Sequence, residues 1–419
     1  MRRIVFATLA VCMGALWTFT APDEGDAIPA FARKYKVSCS LCHQPFPRLT
    51  PLGEMFAGNG FELGIGEPPV DTVETQDPNL RLQAALPLAV RVDAYMSSLF
   101  NDDGAEGFDL QTPWGVKLLS GGQVSDLISY YMYFYMSERG EVAGLEDAYI
   151  QFTDIGGTGF NLMVGQFQVS DPLFKRELRL EVEDYHVYRA RVGEVRSDLA
   201  YERGLMGVYS PVAEGDLIVQ VVNGQGIGEA TGDRLYDPDN RKNVAVRYSQ
   251  GFGRLRAGAF VYFGGESSGD LDSNSLTWGP DLSFSTGNTE VNLQYLRRTD
   301  ENPFFLDTCS PGDFRCVAAD ADPFETTTDG VLGEVIYSPK GPLGRWHFTG
   351  LYNWIETDRP ALSLRLGEQN DPVPYLTRYQ TAALGASYVM RTNVRALGEV
   401  MWDLELEQAR FTLGFVTGF

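Results

Sequence analysis

Arg345-Trp346-His347-Phe348-Thr349-Gly350-Leu351-Tyr352-Asn353-Trp354 places Trp346, Phe348, Gly350, Tyr352 and Trp354 on one face and Arg345, His347, Thr349 and Asn353 on the other. A period of two marks a β-strand. Aromatic residues near both ends of the apolar face suit a strand that crosses a bilayer between two interfacial girdles. The period recurs nearby: Val291, Leu293 and Tyr295 alternate with Glu290, Asn292 and Gln294, and Leu255, Ala257, Ala259 and Val261 alternate with Arg254, Arg256 and Gly258. One face of each strand is apolar.

Extended along the chain, this pattern gives sixteen candidate strands: 84-100, 112-119, 126-137, 145-153, 159-168, 200-210, 216-224, 241-249, 254-263, 275-285, 289-298, 328-339, 343-355, 377-390, 393-403 and 407-419. Their connections alternate in length. Gly156-Gly157, Ala213-Glu214-Gly215, Gly251-Phe252-Gly253, Gly287-Asn288, Lys340-Gly341-Pro342 and Arg391-Thr392 are short, whereas 169-199, 225-240, 264-274, 299-327 and 356-376 are long. A soluble sandwich has no reason to sort loop length by side; an outer-membrane barrel does, with short periplasmic turns and long outer loops. The last strand presents Ala409, Phe411, Leu413, Phe415, Thr417 and Phe419 outward, with Arg410, Thr412 and Gly414 inward. The expected fold is therefore an all-β outer-membrane barrel of about sixteen antiparallel strands over 80-419.

Composition agrees with many short strands and turns: 419 residues include 45 Gly, 20 Tyr and 25 Phe. A formal net charge of −22 argues against nucleic acid and anionic head groups as partners and favours cations or basic proteins. At the start, Arg2 and Arg3 precede the apolar run Ile4 to Phe19, and Gly25-Asp26-Ala27 offers small residues for cleavage, which reads as a signal peptide over 1-27. A lipoprotein signal at Leu9-Ala10-Val11-Cys12 is the rival, but Cys12 lies inside the apolar run. No P-loop, nucleophile elbow or metalloprotease helix is present, and Gly224-Gln225-Gly226-Ile227-Gly228 lacks a following helix.

Between signal and barrel, 28-79 carries Cys39-Ser40-Leu41-Cys42-His43. In this C-x-x-C-H spacing each thiol can add to one vinyl group of a haem while the adjacent imidazole reaches the iron, so Cys39, Cys42 and His43 read as the attachment sites and proximal ligand of one covalent haem c. A zinc site would need further ligands at short spacing, and the other histidines are only His186 and His347. Thr50 followed by Pro51 predicts a helix start, and Gly58-Asn59-Gly60 its stop, giving a short helix over Leu52 to Ala57. Glu67-Pro68-Pro69 through Asp77-Pro78 reads as a linker. Candidates for the distal iron ligand are Met55 on that helix, His347 on the lumen face by parity, and His186 in the 169-199 loop, where Lys175, Arg176, Tyr185, Tyr188 and Arg189 suggest that the loop folds into the barrel.

Cys309 and Cys316 flank a hairpin-like outer segment and are expected to form a disulfide. The same loop carries Asp300, Glu301, Asp307, Asp313, Asp320, Asp322 and Glu325, and Asp102, Asp103, Glu106, Asp109, Glu266, Asp270 and Asp272 stand in other outer loops. Such a field either concentrates divalent cations at the barrel mouth or is a plain solvated surface.

The order of signal, haem motif, linker and barrel resembles the fused cytochrome-porin family of outer-membrane iron oxidases. The similarity is closest in Ile28-Pro29-Ala30-Phe31-Ala32-Arg33-Lys34-Tyr35, in the haem motif, and from Phe46-Pro47 through Leu52-Gly53 to Asn59-Gly60-Phe61. The resemblance implies that the haem segment plugs the lumen, that extracellular ferrous iron gives up an electron, and that a periplasmic c-type cytochrome accepts it. The competing expectation is a diffusion porin whose haem segment is a plug or redox sensor, or a conduit for another extracellular donor or acceptor.

Overall fold

A computed structural model describes residues 30–43, 48–64, 72–84, 87–101, 104–170, 173, 177–179, 181–239, 241–316, 324–341, 344–364, 375–391 and 393–419. The signal peptide over 1-27, Phe46-Pro47, Glu67-Pro68-Pro69, Lys175, Arg176, Asp320 and Asp322 lie outside the described residues.

The period-two stretches are strands, and sixteen of them form one closed antiparallel ring. In chain order they are β1 (Leu88–Asn101), β2 (Gly104–Ser125), β3 (Ile128–Glu138), β4 (Gly144–Phe152), β5 (Asn161–Gln168), β6 (Tyr201–Val212), β7 (Gly215–Val222) and β8 (Asn243–Phe252). The second half is β9 (Leu255–Ser268), β10 (Leu271–Ser285), β11 (Thr289–Glu301), β12 (Glu325–Tyr337), β13 (Trp346–Thr357), β14 (Arg378–Arg391), β15 (Val394–Asp403) and β16 (Gln408–Gly418). Each strand pairs with its sequence neighbours, and β16 closes on β1 in the register Ala409↔Phe100 to Gly418↔Arg91. At the chain end Phe419 and Val90 exchange backbone hydrogen bonds of 2.9 and 2.7 Å.

Side-chain parity follows the alternation. On β13 Trp346, Phe348 and Tyr352 are exposed on the outside, while His347, Asn353, Ile355 and Thr357 are buried inside. Outward aromatics cluster near one rim, where Trp346 packs against Tyr388 and Phe348 at 4.7 and 5.9 Å. An apolar outer face on a ring with no free edge is the surface of a barrel in contact with lipid.

The rim holding the turns 126–127, 213–214, 253–254 and 286–288 is the inner end; the opposite rim, which carries 169–200, 223–242 and 302–324, is the outer end. Two expected outer loops are strand instead. Residues 264-274 continue β9 and β10 to a tight turn at Gly269 and Asp270, and β2 begins at Gly104 rather than 112. Above the lipid both faces of a strand are wet, so the hairpin continues without its apolar alternation. Similarly, the expected linker contains a hairpin, Thr72–Glu74 paired with Arg81–Gln83.

Leu384, 61% exposed on the outer face of β14, lies in mid-strand. Leu384→Arg should destabilise the barrel in lipid vesicles by roughly 2–4 kcal/mol. Leu404→Arg, in the turn after β15, should change little; urea unfolding of both variants checks the depth assignment.

Candidate functional site

The haem motif forms one helical turn, α2 (Cys39–Cys42), after α1 (Ala30–Tyr35) and before α3 (Pro51–Gly58). Its geometry is fixed by Thr50. The Thr50 backbone N–H donates to the Cys42 carbonyl at 2.8 Å, its hydroxyl donates to the Leu41 carbonyl at 2.8 Å, and that hydroxyl also accepts from the Gly53 N–H at 3.2 Å as the cap of α3. Gly53 lets α3 lie directly on the motif, because a Cβ there would stand 2.4 Å from the Cys42 carbonyl oxygen. His43 closes the turn with its N–H on the Cys39 carbonyl at 2.9 Å.

Cys39 and Cys42 are half-buried free thiols. Burial pushes both thiols up from their ordinary value, and the neighbouring Cys39 adds to the effect on Cys42. Among the described residues no group of three or more His, Cys, Asp or Glu could hold a metal ion. Two free thiols beside an imidazole, with exposed Leu41, Met55 and Leu63 supplying apolar surface in the same segment, fit covalent attachment of a haem.

This segment sits in the inner opening of the barrel. Phe31, Tyr35, Phe56 and Phe61 make a small aromatic core, and Phe61 stacks on the lumen-facing Tyr131 at 5.2 Å. The Gly58 carbonyl, at the end of α3, accepts hydrogen bonds from Gln151 at 2.7 Å and Asn161 at 3.2 Å. Gly60, at φ +74°, passes so close to the wall that a Cβ would meet Thr153 Oγ1 at 2.8 Å and Ser129 Oγ at 2.9 Å. Glu62 accepts a hydrogen bond from Gln123, and across the lumen Arg48 pairs with Glu290 on β11.

The described residues of the 169–200 loop fold into the lumen, where Tyr185, Tyr188 and Arg189 had pointed. It carries α4 (His186–Arg189), and Tyr185 and Tyr188 are buried. Asp184 is its hub, paired with Arg139, Arg179 and Arg189 at 2.9, 2.9 and 2.8 Å. Burial alone would push the Asp184 carboxyl up, but the Arg189, Arg139 and Arg179 guanidiniums outweigh it and hold the group well below the usual carboxylate range. Glu181 reaches Arg395 at 2.7 Å, Glu183 reaches Arg410 at 2.7 Å, and Glu177 reaches Arg91 and Lys117 at 3.1 and 3.4 Å. The loop is thus braced to four neighbouring strands, β15, β16, β1 and β2. From outside, Glu194 N–H donates to the Pro303 carbonyl, and Val192 packs with Phe304 and Ala361.

The three distal-ligand candidates stand apart. His186 Nε2 lies 2.9 Å from Glu183 Oε1 within the loop, and its ring meets Tyr379 edge-on. His347 faces the lumen, with Nδ1 2.8 Å from Ser338 Oγ. Met55 is exposed on α3, the helix packed against the motif. Cys309 and Cys316 are joined in a disulfide in the outer loop. Four members of the acidic field are paired: Asp300 with Arg298, Asp313 with Arg315, Glu266 with Arg196 and Asp272 with Arg241. Sequence reasoning missed Arg48, Glu334 and the Asp184 hub as lumen-closing residues, although the inward parity of Glu290 and Asn292 was a signal for them.

No protein-family model and no curated protein matches the chain. Its fold is similar to that of the anion-selective porin from Comamonas acidovorans, with a TM-score of 0.54 and 10% identity over 80% of this chain and 99% of the porin. It is also similar to a loop-L8 deletion mutant of OmpT, an outer membrane protein of Vibrio cholerae, with a TM-score of 0.52 and 10% identity over 80% and 99% of the two chains. The chain has the fold of the outer-membrane porins.

Thr50→Ala removes the α3 cap and the hydroxyl bond to Leu41. The cap alone is worth about 1 kcal/mol, so amide exchange across 41–58 should speed several-fold while the barrel's unfolding midpoint stays fixed.

Proposed function

We propose that this outer-membrane barrel is an electron-transfer protein that carries electrons through one covalent haem c between an extracellular donor, foremost ferrous iron, and a periplasmic c-type cytochrome. The observation that carries the reading is the seat of the Cys-x-x-Cys-His turn: a segment with two free thiols and an adjacent imidazole occupies the inner opening of a closed barrel. A bound haem supplies a single iron that takes up and gives back one electron.

Cys39 and Cys42 would hold the group by thioethers and His43 would be the proximal ligand. Met55 is the distal ligand we favour, because its thioether is exposed on α3, the helix packed against the motif, whereas His186 and His347 are engaged by Glu183 and Ser338. Thr50 and Gly53 hold the motif turn in place through the Cys42 and Leu41 carbonyls, which would limit reorganisation of the turn around a bound haem. The braced loop and the seated segment both stand in the lumen, an arrangement that suits electron passage rather than diffusion. Ferrous iron enters as substrate.

A second reading is a porin whose haem segment is a plug or redox sensor, favoured by the likeness to an anion-selective porin. Conductance separates the two, since a conduit should be nearly closed to small ions.

Cys39→Ala/Cys42→Ala should abolish haem staining of the chain in a denaturing gel. In intact cells an impermeant ferrous complex should reduce the haem of the native protein without lysis. Staining that survives the double substitution sinks the attachment, and reduction only after lysis sinks the conduit.

A further inference from the structure

Two separate pieces of chain fill the lumen, and both are held by one patch of wall. Glu290 and Asn292 on β11 and Glu334 on β12 all face inward. Arg48 of the N-terminal segment pairs with Glu290 Oε1. The Asn292 side-chain amide donates to Glu290 Oε1 at 2.8 Å and to Glu334 Oε2 at 2.9 Å. The other oxygen of Glu334 accepts the hydroxyl of Tyr185, from the folded-in loop, at 2.5 Å. The path Arg48–Glu290–Asn292–Glu334–Tyr185 therefore runs without a break from segment to loop, across two strands of the barrel.

We infer that this patch is a shared seat, so that the N-terminal segment and the 169–200 loop close the lumen as one unit, each held in place by the other. The physical reason is charge. Glu290 and Glu334 are carboxylates joined by a single amide, and the cation facing Glu290 comes from the segment. Losing Arg48 leaves the half-buried Glu290 carboxylate without its cation, which favours rearrangement of Asn292 and Glu334, and the hydroxyl that Tyr185 donates then loses its fixed acceptor. Removing the Tyr185 hydroxyl acts in the opposite direction, freeing Glu334 to compete with Glu290 for Asn292 and loosening the anchor of Arg48. Such coupling is reciprocal by thermodynamic necessity.

Tyr131 of β3 also touches both elements, stacked on Phe61 and packed against the cluster that holds Tyr185 and Tyr188, but through ring contact rather than charge. Tyr188 of the loop donates to Gln294 at 2.5 Å, one inward position further along β11, and has no part in the shared pair. Tyr188→Phe is therefore the control: it weakens the loop at a neighbouring point while leaving the link intact. This inference goes beyond the electron-transfer reading and does not need a haem.

The test uses the full-length protein in lipid vesicles, with amide exchange followed by mass spectrometry and single-channel conductance measured on the same preparations. Arg48→Gln should speed exchange in 181–192, and Tyr185→Phe should speed exchange in 48–61, each by a factor in the range of roughly 5 to 150 expected of coupled sites. Both should raise conductance. Tyr188→Phe should speed exchange in 181–192 alone. Glu334→Gln, which keeps the size of the side chain, should loosen both elements and serves if Arg48→Gln fails to insert. If Tyr185→Phe loosens only the loop and Arg48→Gln or Glu334→Gln only its own neighbour, the seat is not shared and the proposal falls. Haem staining of these variants reports separately on the cytochrome reading.

Discussion

In lipid no backbone N–H or C=O can be left without a partner, because the surrounding hydrocarbon offers none. For a chain made of period-two stretches this leaves a closed ring, and the closing pair is β16 with β1, whose register runs from Ala409↔Phe100 to Gly418↔Arg91. The rest follows from that closure. A closed ring of sixteen strands has a lumen too wide to be filled by inward side chains alone, so whatever shuts it must come from outside the strands. Here the segment 30–64 enters from the inner end and the loop 169–200 from the outer end.

The chemistry of the lumen explains how polar pieces can pack there. Buried charges are costly unless paired, and the loop meets this with partners along one arc of the wall, Arg395, Arg410, Arg91 and Lys117 on the consecutive strands β15, β16, β1 and β2, and with three arginines around Asp184. Removing one partner would strand the other in a dry site, which makes the arrangement specific even where it adds little net stability. The inner segment is seated differently, by an aromatic core and backbone carbonyls, with Arg48 and Glu290 as the charged contact. One element is held by charge and the other mainly by shape.

The strands were legible because lipid on one face and water on the other impose an alternation that 289-298 and 345-354 display in full. Legibility ended where that contrast ended. Above the membrane β9 and β10 are wet on both faces, and Glu266, Ser267 and Asp272 read as loop although they are laddered strand. Ion pairing was out of reach for a related reason: a sequence lists Asp300 and Glu266 as charges, while the fold sets them against Arg298 and Arg196. The motif turn and the helix after it were visible, since Thr50, Pro51 and Gly60 have local roles that spacing reveals.

The seat of the N-terminal segment could not have been read this way, and the reason is topological. Ser129, Gln151, Thr153 and Asn161 belong to strands on one arc of the ring and its inner turns, whereas Glu290 lies on β11, many strands away around the circumference. These groups face a common space only when β16 has met β1. No local pattern marks Gln151 or Glu290 as a seat, because each is an ordinary inward polar residue until the ring closes and a segment more than sixty positions upstream of either returns to meet them. The site is therefore a property of barrel closure rather than of the motif it holds: Cys39, Cys42 and His43 define what the segment can bind, and the closed ring defines where that chemistry is placed relative to the two faces of the membrane.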